Sequence, residues 1–168
     1  MGIKINRIGH VGILVADFER SLKFYTEVVG CKLTTRTKRA DGSEMAFMRF
    51  DDCHHDFVIG SAPEGVDVTE PKDGKRLVQQ IAFEVEDREA YLNAIAHLHQ
   101  HGVTPASKML VHGPEGSGGI HASGSRSFYF LDPDGNRLEV YCDAVKVHDD
   151  EQFPRADIAE AMKAYGIA

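Results

Sequence analysis

The sequence predicts an α+β fold in which two tandem βαβββ modules form one curved, partly closed mixed sheet with helices outside. The first observation behind this is an internal repeat. A shift of 70 residues lays IGHVGILVADFERSL over VQQIAFEVEDREAYL, matching Val11 with Ile81, Val15 with Val85, Asp17 with Asp87, Glu19 with Glu89 and Leu22 with Leu92. The second is the order within each copy: an alternating apolar run, a stretch with apolar residues at three-to-four spacing, then three short strand-like runs. The third is the segment FYFLDPDGNRLEVY, in which a turn-forming pentapeptide joins two alternating runs. One such unit leaves its open sheet uncovered, so two copies should pair into a single domain.

Taken in order, Val11, Ile13 and Val15 share one face of the first strand and His10, Gly12 and Leu14 the other. Asp17 is placed to cap a helix over 18–30, with Leu22, Phe24, Tyr25 and Val28 as its apolar face and Gly30 just past its end. Strands are expected over 31–38, 44–50 and 55–60, separated by Asp41-Gly42 and Asp51-Asp52 turns. Residues 60–75, rich in Pro, Gly and charge, join the modules. In the second copy Asp87 caps a helix carrying Tyr91, Leu92, Ile95 and Leu98, with Gly102 past its end. His97, His99 and His101 read as surface residues, with no helical face shared among them. Strands follow over 106–111, 127–131 and 137–142. Residues 1–143 thus form one domain, with module one at about 6–62 and module two at about 76–143, and 144–168 form a tail ending in a surface-packed helix.

A net charge of −7 argues against nucleic acid and anionic membrane as partners, and no stretch approaches the ~18 apolar residues of a membrane span. Cys31, Cys53 and Cys142 are odd in number and show no CxxC spacing, so neither a disulfide framework nor a zinc knuckle is indicated. A cytoplasmic protein is expected, and unpaired sheet edges suggest a homodimer. The glycine-rich GPEGSGGIHASGS lacks the ending of a phosphate loop and reads as a mobile flap.

His10 and Glu139 interrupt apolar runs on the strand faces turned away from the helices. An imidazole and a carboxylate meeting in a concavity suit a divalent metal. With the hairpin turn centred on Asp134, Tyr129 faces Glu139 across the two strands, their Cβ atoms ~5 Å apart. A phenol there is placed to hydrogen-bond an oxygen of a bound substrate.

The segments IGHVGILVADFERSLKFYTEVVGCKL, QQIAFEVED and FYFLDPDGNRLEVY resemble the vicinal oxygen chelate superfamily, over about residues 6–143. That group includes glyoxalase I, methylmalonyl-CoA epimerase, fosfomycin-resistance proteins, bleomycin-binding proteins and the type I extradiol dioxygenases. Among these the chain looks most like the catalytic domain of the dioxygenases. The resemblance implies His55, from DCHHDF, as acid–base catalyst, Tyr129 as a substrate contact and His121 as a further active-site imidazole. It also implies a metal held by His10, Glu139 and the residue at position 80, which here is Gln80 where that branch has a histidine. A side-chain amide is a weaker donor than imidazole, although Gln is a ligand in glyoxalase I and the epimerases, where the metal acts as a Lewis acid. Three arrangements stay open: His10, Gln80 and Glu139 as a working site, His55 or His121 as the missing ligand, or a weak or empty site.

The leading expectation is therefore a non-haem Fe(II) dioxygenase that uses O2 to open a catecholic small molecule beside its hydroxyls. The alternatives are a redox-neutral metalloenzyme of the glyoxalase or epimerase type using Mn, Zn, Ni or Co, and a non-catalytic binding or resistance protein.

Overall fold

Asp17 and Asp87 start the two principal helices in the same way. Each has extended backbone, and its Oδ1 accepts from the amide three residues on, Arg20 N at 3.0 Å and Ala90 N at 2.8 Å. Such a cap satisfies one of the amides that a helix start leaves without an internal partner. The computed structural model describes residues 2–69, 77–116, 118–149 and 151–166, so part of the expected 60–75 linker lies outside the described residues.

The elements run β1 (Val11–Val15), α1 (Phe18–Lys23), a π-helical turn (Phe24–Val28), β2 (Lys32–Lys38), β3 (Glu44–Arg49) and β4 (Phe57–Ser61). There follow β5 (Ile81–Glu84), α2 (Arg88–Gln100), β6 (Leu110–Val111), β7 (Arg126–Leu131), β8 (Arg137–Cys142) and α3 (Ala156–Ala164). The α+β class and the tandem modules are as the sequence predicts. The strands are hydrogen-bonded as two open four-stranded sheets, ordered β1-β4-β3-β2 and β5-β8-β7-β6, where one sheet was expected. In both sheets the first strand of the module pairs in parallel with its last, and the other pairs are antiparallel.

Helix 18–30 departs from expectation at its middle. After Lys23 the chain widens into the π turn, where Val29 N reaches back five residues to Phe24 O at 3.1 Å and Thr26 Oγ1 donates to Leu22 O. Gly30 then takes φ 86° and ends the element as predicted. Phe18, Ser21 and Tyr25 are the buried residues of this stretch, while Leu22, Phe24 and Val28 are half-buried. On α2, Tyr91 and Leu98 are buried, Ile95 is half-buried and Leu92 is exposed. His97 and His101, four residues apart, do share a face there, with ring centroids 4.2 Å apart.

Two compact units are present, residues 1–77 with 132–136, and residues 78–131 with 137–168. The core of the first includes Val15, Tyr25, Met48, Phe57 and Ile59; that of the second includes Tyr91, Phe128, Phe130, Leu138 and Cys142. In the first, the turn Asp132–Asn136 is held by a buried carboxylate. Asp132 Oδ1 accepts from Asp134 N at 3.0 Å and Asn136 N at 2.7 Å; Oδ2 accepts from Tyr25 Oη at 2.7 Å and Asn136 Nδ2 at 2.9 Å. Asp134, 3% exposed, accepts from Ala16 N at 3.0 Å and pairs with Arg20. Burial, and then the neighbouring Asp132 charge, push the Tyr25 phenol well above its ordinary pKa, so it stays a donor.

Removing one partner of a buried hydrogen bond costs more than the bond is worth, because the other is left desolvated. Tyr25→Phe is expected to lower unfolding free energy by about 1–2 kcal/mol, and Asp132→Ala, which strands four donors, by about 3 kcal/mol or more. Urea unfolding of both variants and of the double variant checks this; the double should lose less than the two singles together.

Candidate functional site

Strand alternation builds one face of the second unit. On β8, Leu138, Val140 and Cys142 face the core, leaving Arg137, Glu139 and Tyr141 on the other side. The register Tyr129↔Glu139 and Ser127↔Tyr141 puts Tyr129 and Ser127 on that side too, as the hairpin geometry requires. The β6–β7 register, Leu110↔Ser127 and Val111↔Arg126, continued one residue, brings His112 to Ser125, and His112 N donates to Ser125 O at 2.8 Å. A cavity of about 330 Å³ opens on this face, lined by Gln80, His112, Tyr129, Glu139 and Tyr141 together with Ser123, Ser125 and Ala144.

Glu139 is only 5% exposed. Gln80 Nε2 donates to its Oε2, and His112 Nε2 lies 3.7 Å from its Oε1 and 2.9 Å from Ser127 Oγ. Among the described residues Glu139 has no Lys or Arg within ion-pairing distance. Burial, and then the Glu139 carboxylate, raise the Tyr129 phenol above its ordinary pKa. The Arg137 guanidinium stacks 4.7 Å from the Tyr129 ring centroid, its Nη2 donates to Gln80 Oε1 at 3.2 Å, and its buried Nε has no acceptor among the described residues. Guanidinium only donates and carboxylate only accepts, so the Gln80 amide between them has one favourable orientation, with its oxygen toward Arg137.

His10 lies in the first unit and directly precedes β1, as Gln80 directly precedes β5. Its ring sits 4.5 Å from that of His55. His54 Nδ1 and His55 Nδ1 are 2.8 Å apart, and Phe47 stands edge-on to His55 at 5.2 Å. Partial desolvation, then the adjacent His10 and His54, lower the His55 pKa below the ordinary imidazole value.

His121 is exposed and does not line the cavity of the second unit. His112, which sequence reading left without a role, does. The signal for it was the period-two alternation of β6, but using it required the β6–β7 register. The expected flap is fastened rather than loose among its described residues: Gly124 N donates to His112 O, Ser123 O accepts from Val145 N, and Ile120 is buried. Among the described residues one other group of potential ligands comes together, Asp51, Cys53 and Asp56. These carboxylates bind the amides of Cys53 and Phe50 at 3.0 Å, which makes them turn formers, and hydrogen bonding to Asp56 pushes the Cys53 thiol up to about 11.

The chain thus combines two tandem βαβββ modules with a polar cavity on one sheet face of the second unit. The family described as the Glyoxalase/Bleomycin resistance protein/Dioxygenase superfamily matches residues 7–140, and the chain belongs to it. It is 32% identical over 136 residues to the uncharacterized protein YwbC of Bacillus subtilis, covering 80% of this chain and 96% of that one. It is 28% identical over 141 residues to the Catechol-2,3-dioxygenase of the same organism, covering 81% of this chain but 41% of the enzyme. The fosfomycin resistance protein FosX of Listeria monocytogenes, solved with Mn(II) and sulfate, superposes with a TM-score of 0.58 at 17% identity, covering 84% of this chain and 96% of that one. No helix among the described residues is long and apolar enough to cross a membrane.

If the Glu139 charge contributes to the Tyr129 shift, Glu139→Gln should move the phenol's titration midpoint toward 10 while burial keeps it above that value. Carbon-13 NMR of the tyrosine Cζ resonance reads this directly, and an unchanged midpoint would leave burial as the whole cause.

Proposed function

We propose that this chain is a metal-dependent enzyme that opens a catecholic ring beside its hydroxyls. The observation that carries the reading is the buried Glu139 carboxylate, flanked by the His112 imidazole and the Tyr129 phenol in a small polar cavity. Among the described residues this carboxylate is buried without a Lys or Arg partner, which is costly unless a cation neutralises it, so the donors present fit a divalent ion. Glu139 and His112 are the proposed ligands in the second unit. His10 is proposed as a further ligand on the repeat alone, being the counterpart of position 80. Gln80, expected as a ligand, is assigned to orienting Glu139, because offering its oxygen would turn its NH2 onto the Arg137 guanidinium.

Fe(II) would supply the one-electron chemistry by which O2 attacks a bound catechol, both oxygen atoms ending in the ring-opened product. The protein's part is to bind, orient and move protons. The Tyr129 phenol, held protonated by burial, donates to a substrate oxygen, and Arg137 against its ring keeps it in place. Ser127 fixes the His112 ring through Nε2 in the absence of a ligand and can rotate its hydroxyl aside. His55 is proposed as the group that takes a catechol proton, and His121 as a second contact, both on the resemblance to the ring-cleaving branch. The 28% identity to a catechol dioxygenase supports this reading. Gln80 favours a second one, a redox-neutral metalloenzyme, since that position lacks the imidazole of an iron site.

Metal analysis of untagged protein separates the two: iron with O2 uptake on catechol supports the first, and Mn, Zn, Ni or Co without uptake the second. Glu139→Ala is expected to lose at least ~100-fold in metal affinity and His112→Ala ~10–100-fold, whereas Tyr129→Phe keeps the metal and slows turnover. Stoichiometric metal in Glu139→Ala sinks the assignment.

Gln80→His is expected to strengthen Fe(II) binding by ~10-fold and to raise catechol cleavage, because it sets an imidazole, a stronger donor than the amide it replaces, beside Glu139 and His112. Parallel iron titrations and oxygen-electrode assays check it. Weaker activity with unchanged iron affinity would mark Gln80 as functional as it stands and favour the redox-neutral reading.

A further inference from the structure

The C-terminal helix lies on the second unit without sealing it. None of the residues of α3 is buried, and a cavity of about 770 Å³ lies between α3, residues 145–147 and 151–155, and Pro114, Ile120 and residues 122–124. Its walls are mainly apolar: Ile120, Val145, Val147, Phe153, Ile158 and Met162. Val145, Val147, Phe153 and Ile158 remain 40–49% exposed, so each keeps apolar area that an occupant would remove from water. The charges at the rim partly cancel, as Arg155 pairs with Asp157 at 2.8 Å.

This groove and the Glu139 cavity adjoin at one residue. Ser123 lines both, and Ala144 of the polar cavity is followed directly by Val145 of the groove. The polar cavity, at about 330 Å³, suits a compact oxygen-bearing head, while the larger space beside it is shaped for hydrocarbon. We propose that the groove is the subsite for the apolar body of the substrate, which is therefore an amphipathic aromatic carrying an uncharged alkyl or aryl substituent. The head rests on the function proposed above; the groove rests on its own walls.

Three probes separate the two parts: catechol, 4-hexylcatechol and hexylbenzene, titrated by calorimetry under nitrogen into full-length, Fe(II)-loaded protein. The hexyl chain should tighten catechol binding by ~30-fold or more, even with only part of its methylenes covered. Ile158→Glu and Phe153→Ala, checked for fold by circular dichroism, should each lose most of that gain and leave catechol itself unchanged. The Met162 methyl resonance should move with 4-hexylcatechol and stay in place with catechol.

Equal affinity for the two catechols in the parent protein overturns the inference, as does a gain that survives both groove variants. So does a dimer that Ile158→Glu dissociates in sedimentation, since a second copy would then be the occupant. If neither catechol binds, or Glu139→Ala leaves both affinities unchanged, the head reading fails instead. Hexylbenzene then decides the groove: a Met162 shift abolished by Ile158→Glu sustains it as an apolar site, and no shift removes it.

Discussion

The Asp132 carboxylate is the constraint on which the candidate site depends. Its two oxygens accept four hydrogen bonds, and three of the donors come from the turn's own residues Asp134 and Asn136. Those bonds set the length and shape of the turn, and a hairpin's turn sets its register. A slip of one residue in β8 would turn Glu139 away from Tyr129 to the helix-packed face and bring Leu138 and Val140 out. Tyr25 supplies the fourth bond and ties the turn to the aromatic core of the first unit, where its ring lies 4.7 Å from Phe57. The chemistry of one strand face is thus governed by a side chain that takes no part in it.

From that register the rest of the site follows by alternation. Gln80, Glu139, Tyr129 and His112 come from β8, β7 and the flanks of β5 and β6, and all project from one side of one sheet. Arg137 and Glu139 then stand two residues apart on that side, and the Gln80 amide lies between them with donor to carboxylate and acceptor to guanidinium. The departure from the ring-cleaving pattern is therefore matched to its surroundings, with Arg137 taking up what Gln80 offers.

Much of the fold was legible because it is written in local terms. The Asp17 and Asp87 caps, the Gly30 and Gly102 ends and the turn at 132–136 depend on neighbours in the chain, and each is found where the residues imply. The register Tyr129↔Glu139 could be read from the turn alone. What could not be read depends on distant partners. The π turn at Phe24–Val28 is one such case; nothing in its residues alone marks it off from the α-helix before it. Residues 106–111 were expected as a full strand, yet only Leu110–Val111 join the sheet as one; before them Ser107 Oγ accepts from Tyr129 N, a side chain standing in for a ladder acceptor. His112 could be placed only once that shortened strand was known. His121 sits in a glycine-rich stretch with no period from which to argue a direction.

The first unit is discontinuous in sequence, since it needs residues 132–136 as well as 1–77. A ribosome releases the chain in order, at ~5–20 residues per second. For several seconds, then, a nascent chain carries the Tyr25 hydroxyl and the Ala16 amide with their eventual partners still unsynthesised. During that interval water must satisfy them, so the helix that bears Tyr25 cannot settle into its final burial. Completion of the amino-terminal half waits on the carboxy-terminal half, which couples the two copies of the repeat in time as well as in sequence.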